Sequence, residues 1–471
     1  MAPPIEFPLF RAVEIEDPLQ ALRALAGLPH SFLLHSGMQD ERARWSFFGA
    51  DPFAVHRGDG YAAATAEWRR LRRVTAEDGS PRFAVPFTGG VVGYWAYDFG
   101  RRIERLPVRA ADDLALPDVH LAFYDVVGAF DHDTRRAWLF ASGLPAEGDA
   151  RAKRAEDRLA ACTLLLAEPQ SAAVRRPRTR LGPPRSTFER DHYLAAVEEV
   201  REAIRRGDIF QANLSQRWTL EREDGGPELP LTFLEALVER SPAPYAAYLD
   251  AGDHAVVSAS PERFLEVRSG RVETRPIKGT RPRSADPIED ARLAAELTAS
   301  AKDRAENVMI VDVMRNDLGR VCVTGSVRAP VLCELESYPQ VHHLTSTVTG
   351  QLRPYLDAFE LLHACFPAGS ITGAPKNRAM EILEALEPVR RHVYTGAIGY
   401  LDWNGDADWN VAIRTALVTP RAVHFAAGGG ITSESDPAAE YQETLDKAAG
   451  LFAAIADVTG TPLAAPLAAT R

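Results

Sequence analysis

The sequence predicts an α+β fold, because β-like runs and long amphipathic stretches follow one another without a regular strand–helix–strand alternation. Two further observations bound that reading. With 46% hydrophobic residues in 471, the chain can bury a sizeable core. No stretch approaches the ~20 consecutive apolar residues of a membrane span. The N-terminus, Met1-Ala2-Pro3-Pro4-Ile5-Glu6, lacks the basic-then-apolar pattern of a secretory leader, so a cytoplasmic location is expected.

In chain order, residues 31–35 and 89–94 read as strands, and the Arg- and Ala-rich stretches around Glu67 and Lys153 read as helices. Residues 169–186 are rich in Pro, Arg and Gly and mark a boundary between an N-terminal region, 1–180, and a second region, 186–460. Leu194, Val197, Val200 and Ile204 recur at helical spacing over 191–206, and Gly207-Asp208 then precedes a strand at 209–214. Further strands are expected at 254–259, 264–267 and 271–275. A helix is expected over 289–313, and another over 438–454, where Asp436 can cap and Pro437 fits the first turn. No tandem repeat is visible.

A net charge of −11 argues against a nucleic-acid partner. The four cysteines, Cys162, Cys322, Cys333 and Cys365, are scattered and read as reduced core residues. Of 54 basic residues only five are lysines: Lys153, Lys278, Lys302, Lys376 and Lys447. A sequence that otherwise writes Arg keeps a Lys where a compact, deprotonatable amine is needed.

Several segments could carry chemistry. In Ser258-Ala259-Ser260-Pro261-Glu262-Arg263-Phe264, Pro261 forces a turn that can aim Glu262 into a cleft as a general acid; the fragment by itself favours the plainer reading of a surface Glu paired with Arg263. In Arg275-Pro276-Ile277-Lys278-Gly279-Thr280-Arg281, crowded positive charge would lower the Lys278 pKa towards nucleophilic use, or the segment is a solvated basic loop. Asp303 with Glu306, and Glu440 with Glu443, each share a helix face and offer hard oxygen ligands suited to Mg²⁺, or solvated acidic faces. The stretch 367–376, containing Ser370, fails as a phosphate loop because Ala374-Pro375 separates Gly373 from Lys376. Gly428-Gly429-Gly430 suits a main-chain carboxylate site or a flexible turn. Hydrolase nucleophile elbows are absent.

Taken jointly, SASPERF, RPIKGTRPR, KDRAENVMIVDVMRNDLGRV, PAGSITGAPK, YTGAIGYLDWNGDADWNVAIRTALV and AGGGITSESDPAAEYQETLDKA resemble the chorismate-utilising enzymes in order and spacing, over residues 186–455. The resemblance implies a large α/β sandwich of two face-packed antiparallel sheets with outer helices. It implies Glu262 as the general acid for the departing 4-hydroxyl. Glu306, Glu440 and Glu443, with Asp303, are implied to bind Mg²⁺, which holds the ring carboxylate of chorismate. His343, Ser370, Arg414 and the amides of Gly428, Gly429 and Gly430 match positions that line the substrate site.

Two positions point to a branch. Gln211 stands where the isochorismate- and salicylate-forming members carry a water-activating Lys, and Gln cannot act as that base. Lys278 stands where anthranilate-forming members have Ala, and PIKGT is the form of the members that make 4-amino-4-deoxychorismate for 4-aminobenzoate and folate. The resemblance thus implies that Lys278 attacks C2 covalently and that ammonia then adds at C4. No glutaminase segment is present, which implies a separate glutamine amidotransferase subunit as ammonia donor. Ser36, Arg44 and Trp45, with Pro244, Tyr245 and Ala246, resemble the family's tryptophan pocket, although core packing accounts for Trp45 equally well. The alternatives are an anthranilate-forming subunit and an inactive tryptophan-binding subunit.

Overall fold

The computed structural model describes residues 6–38, 44–77, 83–168, 179–223, 226, 228–338 and 341–460. Strands from both ends of the chain meet in two antiparallel sheets, one of twelve strands and one of ten. In the first, Phe32–His35 pairs with Tyr245–Asp250, with Ala246 opposite His35. In the second, Gly90–Trp95 pairs with Ala397–Asp402 along its whole length. Both sheets therefore run without interruption from one side of residue 180 to the other. The Arg175–Arg178 part of the expected boundary segment lies outside the described residues.

The sheets pack face to face as expected. A shared apolar cluster joins Phe32, Phe47 and Leu417 of the first sheet to Val92, Tyr94 and Tyr400 of the second. The outer face of the first sheet buries Trp218, Phe425 and Val257 against the helices Leu229–Arg240 and Pro437–Thr459. That of the second buries Trp95, Trp409 and Val348 against Tyr61–Glu77, Ala301–Val321 and Ala358–Cys365. Each side chain of Phe size so buried contributes about 1.5–3 kcal/mol, which makes these layers the main stabilising term. Among the described residues, no helix is long and apolar enough to cross a membrane.

Most expected elements stand within a residue or two of their sequence positions, including Arg190–Arg205; the helix capped by Asp436 starts as expected at Pro437 but runs to Thr459, five residues past its expected end. Three others differ. The single helix expected over 289–313 is two, Pro287–Ala299 and Ala301–Val321. Ser300 leaves helical geometry between them, and its hydroxyl accepts from the Asp303 amide at 3.2 Å, restarting the helix. Asp303 and Glu306 consequently sit in the opening turns of a helix, where negative charge is favoured.

The strand expected at 209–214 begins at Gln211 and extends to Glu221. Residues 211–218 are buried whichever way they point, so no alternation marks its end. The three glycines at 428–430 form no turn. They belong to the strand Ala422–Ile431, with Gly428 opposite Ser215, Gly429 opposite Leu214 and Gly430 opposite Asn213.

Candidate active site

A cavity of about 650 Å³ opens between these elements, lined by Glu262, Lys278, Asp303, Glu306, His343, Ser370, Arg414, Gly428, Gly430, Glu440 and Glu443. Residues spread over 180 positions of sequence thus converge, and Gly429 completes the set by adjoining Glu440. The strands Gln211–Glu221 and Ala422–Ile431 form one wall, the Ile277–Pro282 strand and the start of Ala301–Val321 another, and the start of Pro437–Thr459 a third.

Glu262 follows the turn at Pro261, where its backbone is clamped: its amide donates to Ser260 Oγ at 3.3 Å and its carbonyl accepts from Val411 N at 3.0 Å. Burial pushes its carboxyl up to about 7, against the opposing influence of Ser370 and the Lys278 charge. A carboxyl so raised keeps a protonated fraction near neutrality, which a proton donor needs. Arg263, the partner proposed for a surface Glu, instead pairs with Asp408 at 3.0 Å on the opposite face.

Lys278 lies on the strand Ile277–Pro282, not in a solvated loop; that strand pairs with Val341–Gln351, and Lys278 falls at the register shift between Ile277 and Thr280. Desolvation, assisted by the Lys447 charge, lowers its pKa despite Glu306, Glu262 and Glu443 nearby. The cause is burial more than the crowded arginines that the sequence suggested. Arg414, whose backbone is held at φ 49°, has its pKa lowered by desolvation alone, with no carboxylate acting on it. A guanidinium in that condition favours an anionic ligand.

Polar atoms without partners surround the same space. Ser370 Oγ, His343 Nε2, Gln211 Oε1 and Glu440 Oε2 are buried with no well-aligned hydrogen-bond partner within the protein, although Ser370 still acts on the Glu262 carboxyl. Leaving each such bond unmade costs about 1–3 kcal/mol, so together they describe the outline of a polar ligand. The other ring nitrogen of His343 lies 2.8 Å from Thr280 Oγ1, and burial lowers its pKa to about 3, so the ring is neutral at working pH.

Among the described residues, no three His, Cys, Asp or Glu side chains stand close enough to enclose an ion unaided. Glu306, Glu440 and Glu443 line the cavity together and offer carboxylate oxygens, the donor type that a hard divalent cation takes. Burial raises the pKa of Glu306 and Glu440, and each is raised further by Glu443. Burial also opposes the Glu443 charge, but Lys447, 2.6 Å away, outweighs it and lowers the pKa. Asp303 is paired with Arg281 at 3.2 Å.

The glycines act by closeness. A Cβ on Gly429 would come 2.7 Å from Glu440 Oε2, and one on Gly430 would meet Gln211 Nε2 at 2.4 Å and Lys278 Nζ at 3.1 Å. Gly430→Ala is therefore expected to leave the fold intact, since flexible side-chain tips can shift, but to lower turnover about 100-fold by displacing the amine by a fraction of an ångström. Thermal melting and steady-state rates on the same preparation check both halves.

Two further lysines, Lys302 and Lys447, line this cavity and were not singled out from sequence. The rarity of lysine was the signal that could have found them. Lys376, by contrast, is spent on structure, pairing with Asp317 at 2.6 Å and the Cys365 carbonyl at 2.7 Å.

A second cavity, of about 400 Å³, lies between the sheets and is lined by all six residues named for the tryptophan pocket: Ser36, Arg44, Trp45, Pro244, Tyr245 and Ala246. Ser36 Oγ donates to the Trp45 carbonyl at 2.8 Å, and the Arg44 guanidinium stands 5.1 Å over the Trp45 ring. Arg263, Arg268, Glu266 and Asp408 bring both signs of charge to its far wall.

Residues 30–453 match the chorismate binding enzyme family, and the chain belongs to it. Among its relatives, component 1 of aminodeoxychorismate synthase from Klebsiella aerogenes is 40% identical over 438 residues, covering 90% of this chain and 93% of the relative. Component 1 of anthranilate synthase from Mycobacterium tuberculosis strain H37Rv is also 40% identical, over 484 residues, 96% and 92% of the two chains. The crystal structure of anthranilate synthase component I from Streptococcus pneumoniae matches with a TM-score of 0.76 at 32% identity, over 88% of this chain and 93% of that one. The menaquinone-specific isochorismate synthase from Escherichia coli shares the fold, with a TM-score of 0.73 at 18% identity over 96% and 95%.

Proposed function

We propose that this enzyme is component 1 of an aminodeoxychorismate synthase, converting chorismate and ammonia to 4-amino-4-deoxychorismate and water on the route to 4-aminobenzoate. Overall identity does not separate the aminating branches, since both stand at 40%. The observation that carries the reading is Lys278: a desolvated amine in the same cavity as a carboxyl that titrates near 7.

Chorismate is an anion, and Arg414, with the amides of Gly428 to Gly430, is suited to its carboxylates. Neutral Lys278 Nζ attacks C2, the ring double bonds shift, and the C4–O bond breaks as Glu262 gives its proton to the departing hydroxyl. Ammonia then attacks C4, the double bonds shift back, and the C2–N bond breaks with its electron pair returning to Lys278. The excess proton on the new amine passes to the Glu262 carboxylate. Two moderate displacements replace one difficult one. Glu306, Glu440 and Glu443, with Asp303 beside them, would hold Mg²⁺, which when bound neutralises the substrate's ring carboxylate. Ammonia comes from a separate glutamine amidotransferase subunit.

The test is product analysis with chorismate, Mg²⁺ and a high concentration of ammonium at mildly alkaline pH, which bypasses the partner. A product that aminodeoxychorismate lyase turns into 4-aminobenzoate supports the reading. Anthranilate would overturn it.

The inter-sheet cavity is proposed to bind tryptophan, its Trp45 face taking the indole and its charged wall the amino and carboxylate groups. Tryptophan at about 100 times its dissociation constant is then expected to stabilise the fold by about 2.7 kcal/mol, visible as a rise in melting temperature that Arg44→Ala diminishes. No shift on addition of tryptophan would exclude binding to the folded state.

A further inference from the structure

We infer that Arg391 is a positioning residue for the reaction, its guanidinium fixing the spacing between the turn that carries Ser370 and the strand that carries Asn213. The inference rests on the reading of the larger cavity as the chorismate site with Glu262 as its acid. Arg391 lines neither the larger cavity nor the inter-sheet one, and borders a small pocket of about 10 Å³ behind them. It lies behind the wall with its side chain 3% exposed, clamped by Glu387 on two sides: Nε donates to Oε2 and Nη2 to Oε1, each at 2.7 Å.

The remaining donors all go to segments that line the site. Nη1 reaches the Ile371 carbonyl at 3.0 Å and Thr395 Oγ1 at 3.4 Å, and Nη2 also reaches the Asn213 carbonyl. Every N–H of the guanidinium is thus committed. Ile371 and Asn213 line the cavity, as does Tyr394 beside Thr395. Glu387 extends the clamp by accepting from the Ser215 amide at 2.9 Å and its hydroxyl at 2.8 Å, further along the Asn213 strand. The Tyr97 ring covers the guanidinium, with the Arg391 Cζ 4.6 Å from its centroid.

Three segments remote in sequence are therefore held by one planar fork, which lysine, with a single ammonium, cannot reproduce. The atom most affected is Ser370 Oγ, which has no aligned partner in the protein and stands close enough to Glu262 to draw its pKa down. The charged groups facing Glu262 are Lys278 and Lys447, and neither is held by Arg391.

The experiment compares Arg391→Lys, Glu387→Gln, Ser370→Ala and the double variant Arg391→Lys/Ser370→Ala in the ammonia-dependent assay, with melting curves for each. For Arg391→Lys the expected result is a KM within about threefold of wild type and a kcat lowered about 100-fold, as for a sub-ångström misplacement. The limb of the kcat profile near 7, at fixed free ammonia, moves to higher pH in this variant and in Ser370→Ala alike. In the double variant the losses do not multiply. Multiplying losses, or a kcat within about threefold of wild type, would overturn the inference. If Arg391→Lys does not fold, Glu387→Gln is read by the same limb shift and an expected loss of about tenfold. A wild type that forms no product from chorismate removes the reading of the cavity and the inference with it, whereas Arg391 variants that match an active wild type remove the inference alone.

Discussion

Lys278→Ala is expected to lower formation of 4-amino-4-deoxychorismate at least about a thousandfold, because it deletes the proposed covalent step outright. Chorismate binding should stay within about threefold, since the anion's counter-charge comes from Arg414 and the glycine amides. Lys278→Arg is expected to fail equally, because a guanidinium stays protonated at any working pH. Rates from the lyase-coupled assay and a binding isotherm for each variant check these outcomes. Denaturing quench of the wild type during turnover adds a positive signature: a mass increase on the peptide containing Lys278. An alanine variant that keeps more than about a tenth of wild-type turnover would sink the covalent role.

The second large effect concerns Glu262. Burial favours its protonated form and sets its pKa at about 7. The acid is therefore available below that value and is lost as pH rises through it. Lys278 runs the other way: its pKa is lowered by burial, so its neutral, reactive fraction grows as pH rises. Turnover follows the product of the two fractions, so one limb of its pH profile should break near 7, where Glu262 titrates, and the other where Lys278 does, when free ammonia is held constant. Glu262→Gln removes the titrating group, so turnover should fall by about 100- to 10,000-fold and its limb should vanish from what remains. A residual profile with the limb unchanged would assign it to another group.

The sequence was most legible where local chemistry decides structure. Asp436 and Pro437 announce a helix start, and the helix is there. It was also legible where six segments jointly resembled a family, since the candidate residues drawn from them converge on one cavity. It was least legible where distant partners decide. Ser300 breaks a helix that propensity alone would continue, and the reward is a cap visible only in three dimensions. The triple glycine reads as a turn by local rules but is a strand, because Gln211–Glu221 pairs along it and the close approach of the Leu214 carbonyl, Glu440 and Gln211 leaves no room for side chains. Arg391 gave no signal: one arginine among many, it is distinguished only by what its five N–H groups reach.

The continuity of both sheets across residue 180 has a consequence for how such an enzyme can be recombined. A fragment beginning there would lack the Phe32–His35 neighbour of Tyr245–Asp250 and the Gly90–Trp95 neighbour of Ala397–Asp402, exposing two unpaired strand borders at once. The N-terminal region is therefore not a detachable module that could be exchanged between relatives like a cassette. A chimaera joined near residue 180 inherits mismatched seams in both layers, and tolerated crossovers belong at surface turns that leave each pairing within one parent.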